Sequence, residues 1–198
     1  MGNHLPVFIW EDCLLDRIIE TPRLVLRPLD ASDAEVITAK INDYEISGNL
    51  ARVPFPYRLA DAVEFLDLCG SRTENTRFSA ICLKQTPAEL QGCISYEWNA
   101  EKADAELGYW LVRPLWGRGL MTEATAAMVR HAFKVATVET LVSCYFDSNP
   151  VSGKVLYRAG FEAVASCTAF SRAQGKNVPV TNMRLTRERW LAQNTLAT

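Results

Sequence analysis

The sequence predicts one α/β domain on a mixed sheet, with elements in the order β-α-α-β-β-β-α-β-α-β-β. Three observations carry this. Short apolar runs bounded by turn residues recur along the chain, as strands do. Between them lie stretches whose apolar residues fall at helical spacing. At residues 109–133, "YWLVRPLWGRGLMTEATAAMVRHAF", a strand-like run breaks at Pro114, Gly117 and Gly119 and passes at once into an alanine-rich helix.

Residues 21–29, "TPRLVLRPL", alternate well enough for the first strand. A helix follows in "DASDAEVITAKIND", with Asp30 as its N-cap and Ala34, Ile37, Ala39 and Ile41 as helix-forming positions. Residues 48–58, "GNLARVPFPYR", are proline-rich and aromatic and read as a structured loop. The second helix, "LADAVEFLDLCGSR", carries the spacing Ala62, Phe65, Leu66, Cys69. Three strands come next, from "RFSAICLK", "GCISYEW" and "AELGYWLV". Their turns are "KQTPAELQG", marked by Pro87 and Gly92, and "NAEKAD". The long helix spans residues 121–135, the next strand 140–146, and a short helix from Pro150 stops at Gly160. Strands near 162–170 and 178–185 flank the polar "SRAQGKN", and "TRERWLAQ" closes with a helical turn. Residues 1–18 read as an N-terminal extension, 19–192 as a single domain and 193–198 as a tail.

Twenty-one basic residues stand against 23 acidic ones, so the chain offers no general basic face to nucleic acid or an anionic membrane. No apolar stretch is long enough to span a bilayer. The first residues lack the basic region and cleavage site of a signal peptide, and Pro6 stands where a myristoylation motif has Ser or Thr. Six scattered cysteines without a C-x-x-C pair fit a reduced, cytoplasmic protein. His4 and His131 have no second candidate ligand nearby, so a zinc site and a His-activated nucleophile are both poorly supplied.

A strand, a glycine turn and a helix start can together form an anion site. First-turn N–H groups are unpaired, the helix dipole is positive there, and glycines let backbone approach a phosphate. The candidates are the N–H groups from Gly117 to Thr122, with the Thr122 hydroxyl. No Gly-Lys-Ser/Thr follows, which excludes a Walker loop, and the third glycine of a dinucleotide fingerprint is missing. On spacing alone, a plain turn that needs glycine only for its conformation stands equal to the anion site.

Three stretches and the spacing between them break the tie: "ETPRLVLRPLDASDAE", "AELGYWLVRPLWGRGLMTEA" and "NPVSGKVLYRAGF". Together they resemble the GNAT acetyltransferase superfamily, and within it the RimJ/RimL-like group of protein N-terminal acetyltransferases. The resemblance covers nearly all of residues 21–190. It implies a GNAT-type acyl-CoA N-acyltransferase fold, a mixed, mostly antiparallel six- to seven-stranded sheet flanked by helices. It implies acetyl-CoA as co-substrate, and no metal. Gly117, Arg118, Gly119, Leu120, Met121 and Thr122 would cradle the pyrophosphate, and the pantetheine arm would lie between the strands at 109–112 and 140–146. An N–H at Leu111 or Val112 would polarise the thioester carbonyl, and Asn149 with the helix after it would close over the thiol end. Two positions depart from the superfamily pattern. Trp116 stands where Gln or Arg is usual, although RimL-like members often have Trp, and Met121 stands where Gly or Ala is usual.

Acetyl transfer to an amine needs a held thioester, a base for the ammonium proton and an acid for the departing thiolate. Many GNAT enzymes place a Tyr four residues before the closing glycine. Leu156 holds that place here, and Tyr157 follows it, turned by roughly 100°. Ser152 matches the serine that RimL-like enzymes set near the thiol and is the preferred acid. Tyr157 ranks behind it, as a rim or structural residue. Glu106 matches an acidic position common in the family and is the preferred base, with Glu97 second; a water could replace both. Cys144 lies near the expected thiol position but has no histidine to lower its pKa. His131 is expected on a helix surface, and Trp98 or Tyr96 could line an acceptor pocket.

The implied function is direct transfer of the acetyl group of acetyl-CoA to a primary amine, on a protein N-terminus or a small molecule. Residues 48–58 and 171–179 would select the acceptor, and their Arg52, Arg58, Arg172 and Lys176 favour an acidic one. The alternative is a non-catalytic acyl-CoA-binding sensor or interaction module, favoured by Met121 and the displaced Tyr. Neither nucleic acid nor membrane is expected as a partner. Monomer and homodimer both stay open, with "VFIW" able to pack on the domain or on a second subunit.

Overall fold

The computed structural model describes residues 18–70, 76–134 and 138–195. Strands β1 (Ile19–Glu20) and β2 (Leu24–Pro28) come first, followed by helices α1 (Asp33–Ile41), α2 (Tyr44–Ser47) and α3 (Leu59–Gly70). Then come β3 (Arg77–Leu83), β4 (Thr86–Asn99), β5 (Asp104–Leu111), α4 (Leu120–Lys134), β6 (Thr140–Phe146) and α5 (Pro150–Arg158). Strands β7 (Glu162–Ser171) and β8 (Lys176–Thr186) and helix α6 (Arg187–Thr195) finish the chain.

The strands form one sheet in the order β1-β2-β3-β4-β5-β6-β8-β7. Every pairing is antiparallel except that of β5 with β6. Eight strands stand in place of the expected six to seven, the extra one being the two-residue β1. Period-two alternation divides the apolar residues between the two faces. Leu24, Leu26, Ile94 and Tyr96 pack under α4, α5 and α6, against Met128, Phe133, Leu156 and Trp190. Ala80, Cys82 and Cys93 take the other face, beneath Ile37 of α1 and Ala62 of α3.

Several local expectations change. "KQTPAELQG" is not a turn: Leu83 already pairs with Thr86, so the reversal is confined to Lys84 and Gln85. Gly92 lies inside β4, where a Cβ would stand 2.2 Å from the Trp110 carbonyl oxygen. Beside it the register steps from Ile81–Gly92 to Cys82–Leu90, which bulges Gln91 out of the ladder. Helix α1 starts at Asp33 rather than beside Asp30. The buried Asp33 carboxylate is needed elsewhere, accepting from Arg27 at 2.7 Å and from the Asp30 N–H at 3.0 Å. A short helix, α2, stands before the expected loop, capped by Asp43. Residues 1–17 of the expected extension, with "VFIW", and 196–198 of the tail lie outside the described residues, as does Val135 of the long helix.

Candidate active site

Strands β5 and β6 pair only at Ala105–Leu141 and Glu106–Val142. Beyond that they part, and a wedge opens through the sheet. Its exposed backbone groups have found new partners. The buried Ser143 donates its hydroxyl to the Leu107 carbonyl at 2.8 Å, and Trp116 Nε1 donates to the Leu111 carbonyl at 2.6 Å. The Val112 N–H donates to Gln91 on β4 at 2.9 Å. Antiparallel alternation therefore turns the Leu111 N–H away from β4, into the wedge. Of the two candidate carbonyl-polarising donors, Val112 is already engaged, and Leu111 is the one turned away from β4.

At the mouth of the wedge, Gly117 and Gly119 both have φ of +73°. That is the left-handed region, which a side chain rarely tolerates, so the conformation itself demands glycine. A Cβ on Gly117 would meet nothing within 4 Å. The two earlier readings are thus joined: the glycines are there for conformation, and the conformation frees a run of N–H groups. The first bond of α4 runs from the Glu123 N–H to the Gly119 carbonyl at 3.1 Å, leaving residues 119–122 as its unpaired first turn. Among the described residues none accepts from the N–H groups of Gly117 through Thr122. Met121 is half-buried, packs on the main core and lines the wedge.

Across the wedge, Asn149 caps α5 by accepting from the Ser152 N–H at 3.3 Å. The Tyr109 hydroxyl lies 3.0 Å from Ser152 Oγ and donates to the Ser152 carbonyl at 3.1 Å. Burial pushes the Tyr109 pKa up to about 12. Tyr145 on β6 lays its ring on Gly153, where a Cβ would come within 2.7 Å of it. Tyr157 points elsewhere: it is 51% exposed and does not line the cavity. The tyrosines beside Ser152 and Gly153 are Tyr109 and Tyr145, which the helix register gave no means of finding.

The wedge is the middle of a cavity of about 650 Å³ that crosses the sheet. On the α1 and α3 face it meets Glu106, whose cross-strand partner is Glu97. Arg52 reaches both, with Nη2 at 3.1 Å from Glu97 and 3.5 Å from Glu106. Arg172 donates to the Ala51 and Arg52 carbonyls at 3.0 and 3.2 Å, and Gln174 to the Gly48 carbonyl at 2.8 Å, so the two acceptor-side loops are stitched together. Helix α3 turns Asp61, Glu64, Phe65 and Leu68 to this end of the cavity, and α2 adds Glu45. The expected cationic lining is therefore offset: Arg52 is spent on Glu97 and Glu106, Arg58 and Lys176 do not line the cavity, and Arg172, which does, faces Glu45, Asp61 and Glu64. Cys144 lines the cavity, with its thiol pKa pushed up by burial first and by Glu106 second.

Two other expectations are corrected. Tyr96 is buried in the main core and does not line the acceptor side, whereas Trp98 packs against that core and borders a second cavity beside Arg52, Glu97 and Glu106. His131 is not on the helix surface. Its Nδ1 lies 3.0 Å from the Tyr96 hydroxyl, and Arg77 lies 3.2 Å from its Nε2. Among the described residues, no group of His, Cys, Asp and Glu is placed to hold a metal ion, and no helix is long and apolar enough to cross a membrane.

The chain resembles known proteins over most of its length. A family model described as an acetyltransferase (GNAT) domain matches residues 23–162. A Bacillus licheniformis protein named only as an uncharacterized N-acetyltransferase is 25% identical over 162 residues, 81% of this chain and 90% of its own. Among solved structures, the ribosomal-protein-S5-alanine acetyltransferase of Vibrio fischeri aligns with a TM-score of 0.74 at 17% identity, covering 87% of this chain and 98% of that one. The spermidine N-acetyltransferase of Vibrio cholerae, solved with CoA and spermine, gives 0.73 at 17% identity, covering 86% and 99%. These two show a shared fold. The family match takes in the glycine turn, the parting strands and α5, and with it the chain belongs to the GNAT acetyltransferase family.

Proposed function

We propose that this protein transfers the acetyl group of acetyl-CoA directly to a primary amine. One observation carries the reading: the unpaired N–H groups of residues 117–122 open onto a cavity that passes through the sheet to a carboxylate. The residues fit the ligand. A diphosphate needs clustered donors, which the turn offers, and a slender amide-bearing arm needs a slot edged by free backbone groups, which the wedge offers.

Bound acetyl-CoA would supply a thioester carbon open to attack by an amine. The Leu111 N–H is the donor for charge developing on the carbonyl oxygen. Glu106 takes the proton that the ammonium must lose before its nitrogen can attack, and Arg52, clasped by Glu97, fixes its surroundings. The new C–N bond forms as the C–S bond breaks, the Ser152–Tyr109 hydroxyl pair gives a proton to the leaving sulfur, and the second proton that the nitrogen sheds on becoming an amide restores the pair. With its pKa near 12, Tyr109 holds that proton throughout the working range. Cys144 is no nucleophile here, because its raised pKa keeps it a thiol.

The acceptor reading follows the charges. Glu45, Asp61 and Glu64 favour an amine that is itself cationic, beside the apolar Phe65 and Leu68. Both acceptor classes that the sequence implied, a protein N-terminal amine and a small amine, have counterparts among the structural neighbours. The test is titration calorimetry with acetyl-CoA and with free CoA, followed by thiol release with spermidine and with a peptide bearing a free α-amine. Micromolar binding and amine-dependent thiol release are expected. No binding would overturn the proposal; binding without turnover on any amine would leave an acyl-CoA sensor.

A further inference from the structure

The first strand and the glycine turn lie about a hundred residues apart in sequence, yet one side chain joins them. Arg23, the residue before β2, donates from Nη1 to the Arg118 carbonyl at 2.8 Å. The same guanidinium donates from Nε to Glu123 Oε2 at 2.6 Å, and the Arg23 backbone N–H donates to Glu123 Oε1 at 2.8 Å. Thr21 adds its hydroxyl to Glu123 Oε1 at 2.6 Å. The Arg23 Nη2 would lie 3.6 Å from a Cβ on Gly119, so the guanidinium lies against the back of the turn.

We infer that Arg23 is a positioning residue that sets the direction of the Gly119 N–H and so presents the turn to the diphosphate of the co-substrate, an inference that rests on the acetyl-CoA reading above. The argument is one of peptide geometry. A trans peptide carries its C=O and the following N–H on opposite sides. With the Arg118 carbonyl drawn toward Arg23, the Gly119 N–H must point the other way, out over the cavity that Gly119 lines. Without that restraint the peptide could rotate, because Gly117 and Gly119 on either side of Arg118 are the two most permissive residues available.

Glu123 makes the restraint rigid. Its side chain is only 14% exposed, so an unpaired carboxylate there would be costly. Burial alone would raise its pKa, but the hydrogen bonds from Thr21 and Arg23 outweigh that and hold it below the ordinary glutamate range. Glu123 also sits in the first turns of α4, where a negative charge is favourable. The pair thus ties the β2 edge, the turn and the helix start into one unit. It gives the "TPRL" and "TEA" stretches a shared purpose that neither discloses alone.

The experiment compares affinity for acetyl-CoA with affinity for S-acetylpantetheine, which has the same thioester but no diphosphate. Both are measured by calorimetry on the wild type, Arg23→Met and Arg23→Lys. The expected result is a tenfold or larger loss for acetyl-CoA in Arg23→Met, with S-acetylpantetheine unchanged. Lysine can pair with Glu123 but cannot also fork to the Arg118 carbonyl, so Arg23→Lys should fold and still lose several-fold for acetyl-CoA alone. It serves as the second variant should Arg23→Met fail to fold. Equal affinity in variant and wild type, or equal losses for both ligands, would overturn the positioning role while the acetyl-CoA reading stands. A wild type that binds no acetyl-CoA would overturn both.

Discussion

At the cofactor end of the cavity, the functional atoms are backbone N–H groups from one continuous stretch, Gly117 to Thr122, shaped by two glycines at φ +73°. At the acceptor end they are side chains: Arg52 from a loop, Glu97 and Glu106 from adjacent strands, Asp61 and Glu64 from α3. Arg172 closes that group from a loop 120 positions beyond Arg52. The first end is a matter of conformation, which a few neighbouring residues can dictate. The second is a matter of convergence, which only the folded sheet brings about. Chemistry and ligand holding should accordingly separate in mutants.

The sharpest break of that separation is Glu106→Gln. Losing the base should lower kcat by about a hundredfold or more, while acetyl-CoA affinity stays at the wild-type value. Steady-state rates beside calorimetry decide it. A large change in affinity would mean that the two ends are coupled across the wedge, and an unchanged kcat would pass the proton to water.

Next in size is Tyr109→Phe, which removes a hydroxyl 3.0 Å from Ser152 Oγ. A fall of about tenfold in kcat is expected, within the range of general acid contributions. Ser152→Ala should cost a similar factor, and the double variant should cost less than the product, since the two hydroxyls share one bond. Additive losses would separate their roles.

What the sequence disclosed follows the same division. Strands β2, β3 and β5 and helices α3, α4 and α5 were legible, because alternation and helical spacing are local. The turn was legible because a left-handed backbone must be written in glycine. Tyr109 was passed over although it stands in the quoted "GYWLV", since its value depends on β5 and β6 parting and on α5 arriving across the gap. Gly92 misled for a related reason: a glycine that marks a turn and one that lets a carbonyl approach look alike in one dimension. The acceptor charge was half legible: Arg52 and Arg172 are visible in their loops and do line the cavity, whereas the carboxylates that face them come from other segments.

The acceptor end can be tested by charge alone. Glu64→Lys should raise KM for a cationic acceptor such as spermidine several-fold, with kcat little changed, because the residue lines the approach and not the reacting centre. The effect should shrink as salt is added, since exposed charges are screened over about 10 Å at 0.1 M. An equal effect with a neutral-bodied amine would show that size, not charge, is being sensed.

The smallest effect expected is on stability at alkaline pH, and its sign can be worked out. Burial raises the pKa of both Tyr96 and Tyr109 to about 12, whereas a tyrosine in the unfolded chain ionises near 10. Below pH 10 both states hold the proton, and the stability is complete. Between about 10 and 12 the unfolded chain gives up protons that the folded chain keeps, so stability must fall as pH rises through that window. Each tyrosine contributes on the order of 1–2 kcal/mol to the fall. Tyr96 belongs to the core and Tyr109 to the site, so the two substitutions separate the regions once more. Chemical denaturation across the window should show a shallower decline for Tyr96→Phe and for Tyr109→Phe alike, with catalysis lowered only by the second. A slope unaltered by Tyr109→Phe would mean that water reaches its hydroxyl through the wedge and that the proton it offers to sulfur is an ordinary phenol's.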